Sequence, residues 1–333
     1  MNLLDSMRYL VALEQHRHFG RAASACHITQ PALSNALRSL EAELGVAIVR
    51  RGRSYGGLTA EGEQVLATAH RLLREQETLR QELHGGADAP TGTLTIGAVP
   101  TALPCAARFA ARLHALHPGI VPVVRSLSSP EIESGIDQLA IDLGLGYTER
   151  MSRRAGIAAL PQYVESYFLL RRGSGAEAGR PLHIGAPITW AEAAALPLCL
   201  LTAEMHNRTL VDAAFAATGA SVRAAIETNS IVTMVLSVLD GGIAAVVPGT
   251  LMALVRGYAG LEALPLRAPE LHTPIGFMHA TGTRLPRALE AALRLAAEPG
   301  WLTFAAAHGG AFEGASGAHG PVSFAARIGR FRE

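Results

Sequence analysis

Apolar residues in the first part of the chain recur at helical rather than strand spacing. Leu3, Leu4, Met7, Leu10, Val11 and Leu13 line one face of a first amphipathic helix. Phe19, Ala22, Ala23, Ala25 and Cys26 mark a short second helix whose small side chains allow close packing, and residues 27 to 29 form the turn after it. Thr29 is an N-cap residue type, Pro31 falls in the first turn where its missing N–H costs nothing, and Gly45 suits a C-cap. The spacing therefore predicts a third helix over residues 30 to 44. On it Leu33, Leu37, Leu40 and Leu44 step by four, three and four, which predicts one continuous buried stripe. The opposite face carries Gln30, Ser34, Asn35 and Arg38. Amide, hydroxyl and guanidinium groups on the N-terminal half of a helix suit base edges and phosphates, although an ordinary solvated face has the same composition.

The pattern changes at residues 47 to 59, AIVRRGRSYGGLT, which predict two short strands around a Gly-rich turn. Arg50, Arg51 and Arg53 cluster there, as on a wing that touches phosphates or the minor groove. A long helix is expected from Thr59 to about position 84. In it Val65, Ala69, Leu72, Gln76, Leu79 and Leu83 step by four, three, four, three and four. That is a heptad seam and predicts pairing with a second copy; a helix buried within its own chain is the competing reading. Residues 85 to 91, rich in Gly, Ala, Asp and Pro, mark a domain boundary.

Strand and helix signals then alternate, the mark of an α/β fold. Strands are expected at 93–99, 121–127, 143–146, 166–170, 198–201, 224–227, 243–247 and 273–279, with helices at 103–117, 131–139 and 286–297. The order suggests two lobes, the first from 91–162 and 268–300, the second from 163–267. Small polar residues follow the strands in a repeated way: Thr101 after the first, Ser128 and Ser129 after the second, Thr202 and Asn229 in the second lobe. Beside helix N-termini such groups favour a carboxylate or another small anion, while each alone is most often only a cap. Residues 305 to 333, rich in Gly and Ala, are read as a tail without regular structure.

Composition narrows this picture. The chain has 333 residues, 49% apolar and 17% charged, enough to bury more than one core. Its net charge of +1 does not by itself argue for nucleic acid, but residues 1 to 58 hold seven Arg against four Asp plus Glu. There is no lysine, so Arg is the only fixed cation for any anion site. Cys26, Cys105 and Cys199 are widely spaced and fit no disulfide framework. No signal peptide is evident, and the longest apolar run, 231–239, is about half of what a membrane span needs, so a cytoplasmic protein without membrane contact is expected.

The stretch RAASACHITQPALSNALRSLEAELGVAIVRR, followed by LTAEG, closely resembles the LysR-type transcriptional regulators over residues 5 to 85. The resemblance implies a multi-domain α and α/β architecture: a winged helix-turn-helix over 1–58, a linker and dimerisation helix over 59–86, and a two-lobed effector-binding domain over 91–304 similar to periplasmic solute-binding proteins. It implies DNA contacts at Gln30, Pro31, Ser34, Asn35, Arg38, Arg50, Arg51 and Arg53. Where the family commonly has an aromatic residue and a single Arg in the wing, this chain has Ile48, Val49, Arg50 and Arg51. On TLTIGAVPTALP, IDLGLGY and PLCLLTAEMHNR it implies effector contacts at Thr101, Ser128, Ser129, Tyr147, Thr202, Met205, Asn207, Asn229 and Pro248, with Arg125 and Arg208 as counter-charges. The last two phrases faintly resemble the subgroup associated with formate dehydrogenase genes.

The implied partners are an inverted-repeat DNA operator, a small-molecule effector in a cleft between the lobes, and further copies of the chain as homodimer and homotetramer, with RNA polymerase among the proteins such a regulator can meet. No cofactor is expected. A thiol-based redox sensor using Cys105 and Cys199 is the nearest rival of the same fold, and a solute-binding protein without regulatory role the rival from another class. His16, His18, Cys26 and His27 match no zinc spacing, and G-x-S-x-G, P-loop, G-x-G-x-x-G and H-E-x-x-H motifs are missing, so no enzyme is expected.

Overall fold

Side chains at the helix ends set the first elements. Helix α1 (Leu3–His16) is capped by the Asn2 side chain, which accepts from the Leu4 amide at 3.1 Å. Helix α2 (Phe19–Ala25) is capped by His18, whose Nδ1 accepts from the amides of Gly20 and Arg21. Helix α3 (Gln30–Leu44) runs between Thr29, whose hydroxyl accepts from the Ala32 amide, and Gly45, which ends it at φ 70°. That left-handed backbone is open to glycine at little cost. Helix α4 (Ala60–Leu83) begins where the Thr59 hydroxyl accepts from the Gly62 amide at 2.9 Å.

The structure is a computed structural model that describes residues 2–50, 52, 55–83, 90–151, 156–173, 181–282 and 285–309. Two compact units emerge. Unit 1 takes the chain up to Val99, Ala106–Pro161 and Gly276–Glu298; unit 2 takes Pro100–Cys105, Gln162–Ile275 and the chain from Pro299.

In unit 1, Leu10, Leu13, Leu33, Leu37, Leu40, Ile48, Leu58 and Leu66 form one core that joins the first four helices. The leucine stripe of α3 stops one step short of the expected pattern, because Leu44 sits at the helix end and is 44% exposed. Among the described residues of the wing, one antiparallel bridge pairs Val49 with Leu58, and the Arg50 amide donates to the Gly57 carbonyl. Strand β1 (Gly92–Ala98), helix α5 (Leu103–Leu116), strand β2 (Ile120–Ser126), helix α6 (Ser129–Asp137), strand β3 (Leu143–Tyr147) and helix α7 (Thr148–Met151) follow. β1 lies between β2 and β3, parallel to both, with Gly97 opposite Arg125 and Gly144.

Strand β4 (Ile157–Arg172) carries the chain into unit 2. There follow β5 (His183–Ile184), β6 (Ile188–Thr189), α8 (Trp190–Ala193), β7 (Leu198–Leu201), α9 (His206–Ala216), β8 (Ile226–Thr228), α10 (Ile231–Gly241), β9 (Ala244–Pro248), α11 (Met252–Val255) and β10 (Leu261–Arg267). β4 pairs antiparallel with β9 and β10, while β7 is parallel to β8 and β9. Alternate residues of β4 feed two cores: Phe168 and Leu170 join Cys199, Leu201 and Val247, whereas Tyr167 and Leu169 join Trp190, Leu198, Leu200 and Phe215. β7 is therefore buried on both faces, which explains its unbroken apolar sequence.

Strand β11 (His272–Ala280) returns to unit 1, where α12 (Arg287–Ala297) lies, and α13 (Pro299–His308) belongs to unit 2. Helix α13 corrects the expectation of a tail from position 305: it continues to His308, with Ala305 buried and Trp301 donating its indole N–H to Gln162 at 2.6 Å. The rest of that stretch, 310–333, lies outside the described residues.

Candidate nucleic-acid interface and ligand site

The rotation of α3 is fixed by its apolar side. With Leu33, Leu37 and Leu40 buried, Gln30, Pro31, Asn35 and Arg38 are exposed together and Ser34 is half-buried beside them. Arg50 is exposed on the wing, while Arg51 and Arg53 lie outside the described residues. One residue not singled out in the sequence ties helix to wing. Glu41, near the end of α3, accepts from the amides of Ile48 (2.9 Å) and Val49 (3.1 Å) through one carboxylate oxygen. Tyr55 donates to Glu14 and meets Phe19 edge-on at 6.2 Å; burial and that carboxylate push its phenol well above the ordinary value.

His18 is engaged as a cap, and among the described residues no three His, Cys, Asp or Glu gather to hold a metal ion. No helix among them is long and apolar enough to cross a membrane.

The expected seam of α4 divides in two. Ala69 is fully buried and Val65 packs on the core of the first helices, so these two are used within the chain and correct the reading of one uniform pairing stripe. Farther along, Leu72 is 39% and Leu79 55% exposed, with Gln76 exposed between them and accepting from Arg8. The side chain of Leu83 lies outside the described residues.

Of the nine residues expected to meet an effector, unit 2 holds six, and it brings three of them around one buried polar network. Thr101, 1% exposed, stands on the short turn Pro100–Ala102, its carbonyl held by the Thr250 hydroxyl at 2.9 Å and its side chain hydrogen-bonded to Glu165. Tyr167 donates to Glu165 at 3.0 Å, shares a 3.2 Å hydrogen bond with Thr273, and accepts from the Asn207 amide at 3.3 Å. Pro248 lies opposite Tyr167 in the β4–β9 pairing. Met205 is buried at the start of α9 without capping it through its side chain. Thr202 and Asn229 stay outside the network: the Thr202 hydroxyl donates to Glu204, and Asn229 is exposed. In unit 1, Ser128 is engaged in capping α6, donating its hydroxyl and amide to Glu131; Ser129 is buried with no partner for its hydroxyl; Tyr147 is buried at the end of β3.

The expected counter-charges are otherwise placed. Arg208 is engaged by Asp212, Glu227 and the Leu201 carbonyl, all at 2.8 Å. Arg125 stands near His70, where burial first and then that guanidinium hold the imidazole down to about 4.

Glu165 is the unforeseen member. It is 0% exposed, and burial pushes its carboxyl up to about 8 against the opposing pull of the Tyr167 and Thr101 hydrogen bonds. Its folded form then keeps a proton that the unfolded chain gives up near 4.5. Between those values the folded state binds more protons, so its contribution to stability is full below about 4.5 and is lost as pH rises toward about 8. Urea midpoints of the wild type should fall across that window relative to those of Glu165→Gln, and parallel curves would contradict the assignment.

Cys199 is fully buried in β7 and Cys105 is 7% exposed; burial pushes the Cys199 thiol up. A sensing thiol works as an accessible thiolate, so this placement weighs against the redox reading.

Comparison with known proteins gives two family matches: "Bacterial regulatory helix-turn-helix protein, lysR family" over residues 4–63 and "LysR substrate binding domain" over 87–299. Among curated relatives, a hydrogen peroxide-inducible genes activator of Dickeya chrysanthemi is 42% identical over 104 residues, 31% of this chain and 34% of the relative. An SDS degradation transcriptional activation protein of a Pseudomonas strain is 39% identical over 121 residues, 36% of this chain and 40% of the relative. The chain thus spans about a third of the length of such relatives. Among solved structures, a full-length OxyR from Pseudomonas aeruginosa aligns with a TM-score of 0.65 at 24% identity, covering 88% of this chain and 97% of that one. CbnR bound to its target DNA aligns with a TM-score of 0.62 at 18% identity, covering 91% and 99%. At these identities what is shared is the fold. The faint resemblance to formate dehydrogenase regulators finds no support in these relatives.

Proposed function

Because this chain belongs to the LysR family of bacterial transcriptional regulators, we propose that it reads an inverted-repeat operator as a homodimer, and that a small anion held in its α/β domain changes that reading. DNA is read through Gln30, Pro31, Ser34, Asn35 and Arg38 of α3, with Arg50, Arg51 and Arg53 on the wing. The observation that carries this is the coherent exposure of the polar side of α3, held in rotation by its leucines and joined to the wing by Glu41. Leu72 and Leu79 are the seam positions left for a partner copy, and dimers pair further into tetramers. The fold shared with CbnR, solved on its target DNA, supports the DNA-binding arrangement.

Asn35→Ala and Arg38→Ala should each weaken binding to the upstream intergenic DNA by about 5- to 150-fold, the effect of losing one base or phosphate anchor of about 1–3 kcal/mol. Arg50→Ala should weaken binding evenly across sequences and reduce the salt slope by about 1. A mobility-shift titration at two salt concentrations reads both effects. If the wild type shows no preference for that DNA over a scrambled duplex, the operator reading is wrong.

The effector acts at the Thr101, Asn207 and Pro248 cluster, favouring one of two arrangements of the oligomer on DNA. Thr101→Trp fills this cluster and should remove the effector response while leaving basal operator affinity within a few-fold. Loss of both would point to misfolding and would remove support for a separate effector site.

A further inference from the structure

The polar network of unit 2 contains an acid for which the effector reading has no use so far. Glu165 lies midway along β4, fully buried, with Oε2 accepting from Tyr167 and Oε1 without a hydrogen-bond partner among the described residues. A buried acceptor left bare costs about 1–3 kcal/mol in general, so a group in that state is commonly kept for something it meets. The groups that hydrogen-bond to it are neutral. On its own strand there is Tyr167, the titratable neighbour that touches it; from the turn before α5 there is Thr101. One hydrogen bond farther, Asn207 comes from α9 and Thr273 from β11, and Pro248 of β9 lies beside Tyr167. Against its burial stand the hydrogen bonds of two neutral groups, Tyr167 and Thr101. The two candidate ligand contacts, Thr101 and Asn207, are thus oriented directly or through Tyr167 by this one carboxyl.

We propose that Glu165 decides the charge of what the site accepts: with its carboxyl uncharged it admits a small carboxylate resting on Thr101 and Asn207, and ionised it expels that anion. The inference rests on the effector reading above. An ionised Glu165 would stand one side chain away from the anion, and Arg208, the nearby arginine of α9, is already held by Asp212 and Glu227 and does not offset the repulsion. The neutral acid imposes no such repulsion and leaves the hydroxyl and amide positions unchanged. Glu165 is therefore a positioning residue that also filters charge.

The test uses the full-length protein and calorimetric titration with sodium formate, acetate, pyruvate and benzoate, from about pH 6.5 to about pH 9.5, a range in which every one of these probes stays ionised. At least one should bind, with an affinity that falls by about tenfold per pH unit above about pH 8. Glu165→Gln keeps the shape and the hydrogen-bond acceptor without the charge; whatever affinity it shows at the acid end it should hold to the alkaline end, where that of the wild type falls. Parallel profiles for the two proteins, tightening with rising pH, or no binding of any probe would each overturn the proposal. Should the variant fail to fold, the wild-type profile alone decides, since a flat or rising affinity contradicts it. Thr101→Trp separates the two levels of inference. Binding that survives in it sinks the effector site itself, whereas binding lost in it together with parallel wild-type and Glu165→Gln profiles sinks only the role given to Glu165.

Discussion

Alanine at position 62 is expected to abolish operator binding by unfolding the helix-turn-helix region. Gly62 lies in the first turn of α4, and a Cβ there would stand 2.1 Å from the carbonyl oxygen of Ile48 and 3.0 Å from its carbonyl carbon. These are backbone atoms with little freedom to yield. The Ile48 carbonyl accepts from the Thr59 amide at 3.0 Å, its own amide is held by Glu41, and its side chain is fully buried. Relieving the overlap means pulling α4 off the wing, and the cost should reach the exceptional range above about 4 kcal/mol. Gly45→Ala is the natural comparison: nothing lies within 4 Å of its Cβ, and only the φ of 70° opposes it, at about 1 kcal/mol. Thermal unfolding and a mobility-shift titration of the two variants give the ranking. A Gly62→Ala protein with wild-type melting and wild-type DNA affinity would refute the close approach.

The second large effect falls in unit 2 and should leave DNA binding in place. Trp190 is fully buried, donates its indole N–H to the Pro269 carbonyl at 2.8 Å, and meets Phe215 edge-on at 5.1 Å and 89°. Around it lie Leu198, Leu200, Leu264 and Leu266. Trp190→Ala removes that packing, opens a cavity and strands a carbonyl acceptor, together about 3–5 kcal/mol. Protease digestion in rising urea should show unit 2 cut at lower denaturant, while the upstream DNA is still bound within a few-fold of wild type. Unchanged digestion of unit 2 would count against Trp190 as a keystone of that core.

These two sites differ in how far the sequence discloses them. Helix α3 is legible residue by residue, caps included, because its hydroxyl, proline and glycine act within a few positions and its leucines follow the period of one helix. β7 is legible over Leu198–Leu201 because a strand buried on both faces is simply an apolar run. β4 is not: the expectation covers 166–170, whereas the strand runs over Ile157–Arg172. The residues that interrupt its apolar pattern, Gln162 and Glu165, are buried polar groups met from distant parts of the chain, Gln162 by Trp301 and Glu165, on one side only, by Thr101. β10 escapes for a different reason. Pro265 lies within it opposite Phe168, and proline normally argues against a paired strand.

The candidate ligand site is half legible for the same physical cause. Hydroxyls at strand ends can be seen in a sequence, but their use cannot: Ser128 and Thr202 are engaged by nearby Glu131 and Glu204, whereas Thr101 faces a glutamate 64 positions away by residue number. The link between Tyr167 and Thr273 spans 106 positions, and only the folded β4 and β11 bring them together. On α4, periodicity shows the stripe but not its division, since burial of Ala69 against the first helices is a property of packing.

Glu41 has a consequence for the DNA as well as for the protein. One carboxylate near the end of α3 grips both amides at the root of the wing, so α3 and the wing travel as a single caliper of fixed jaw width. On the DNA-reading proposed above, a base pair inserted between the groove one jaw would enter and the phosphates the other would touch could not be absorbed within that caliper. In the proposed dimer, tolerance for operators of different length would then come from the spacing between two calipers.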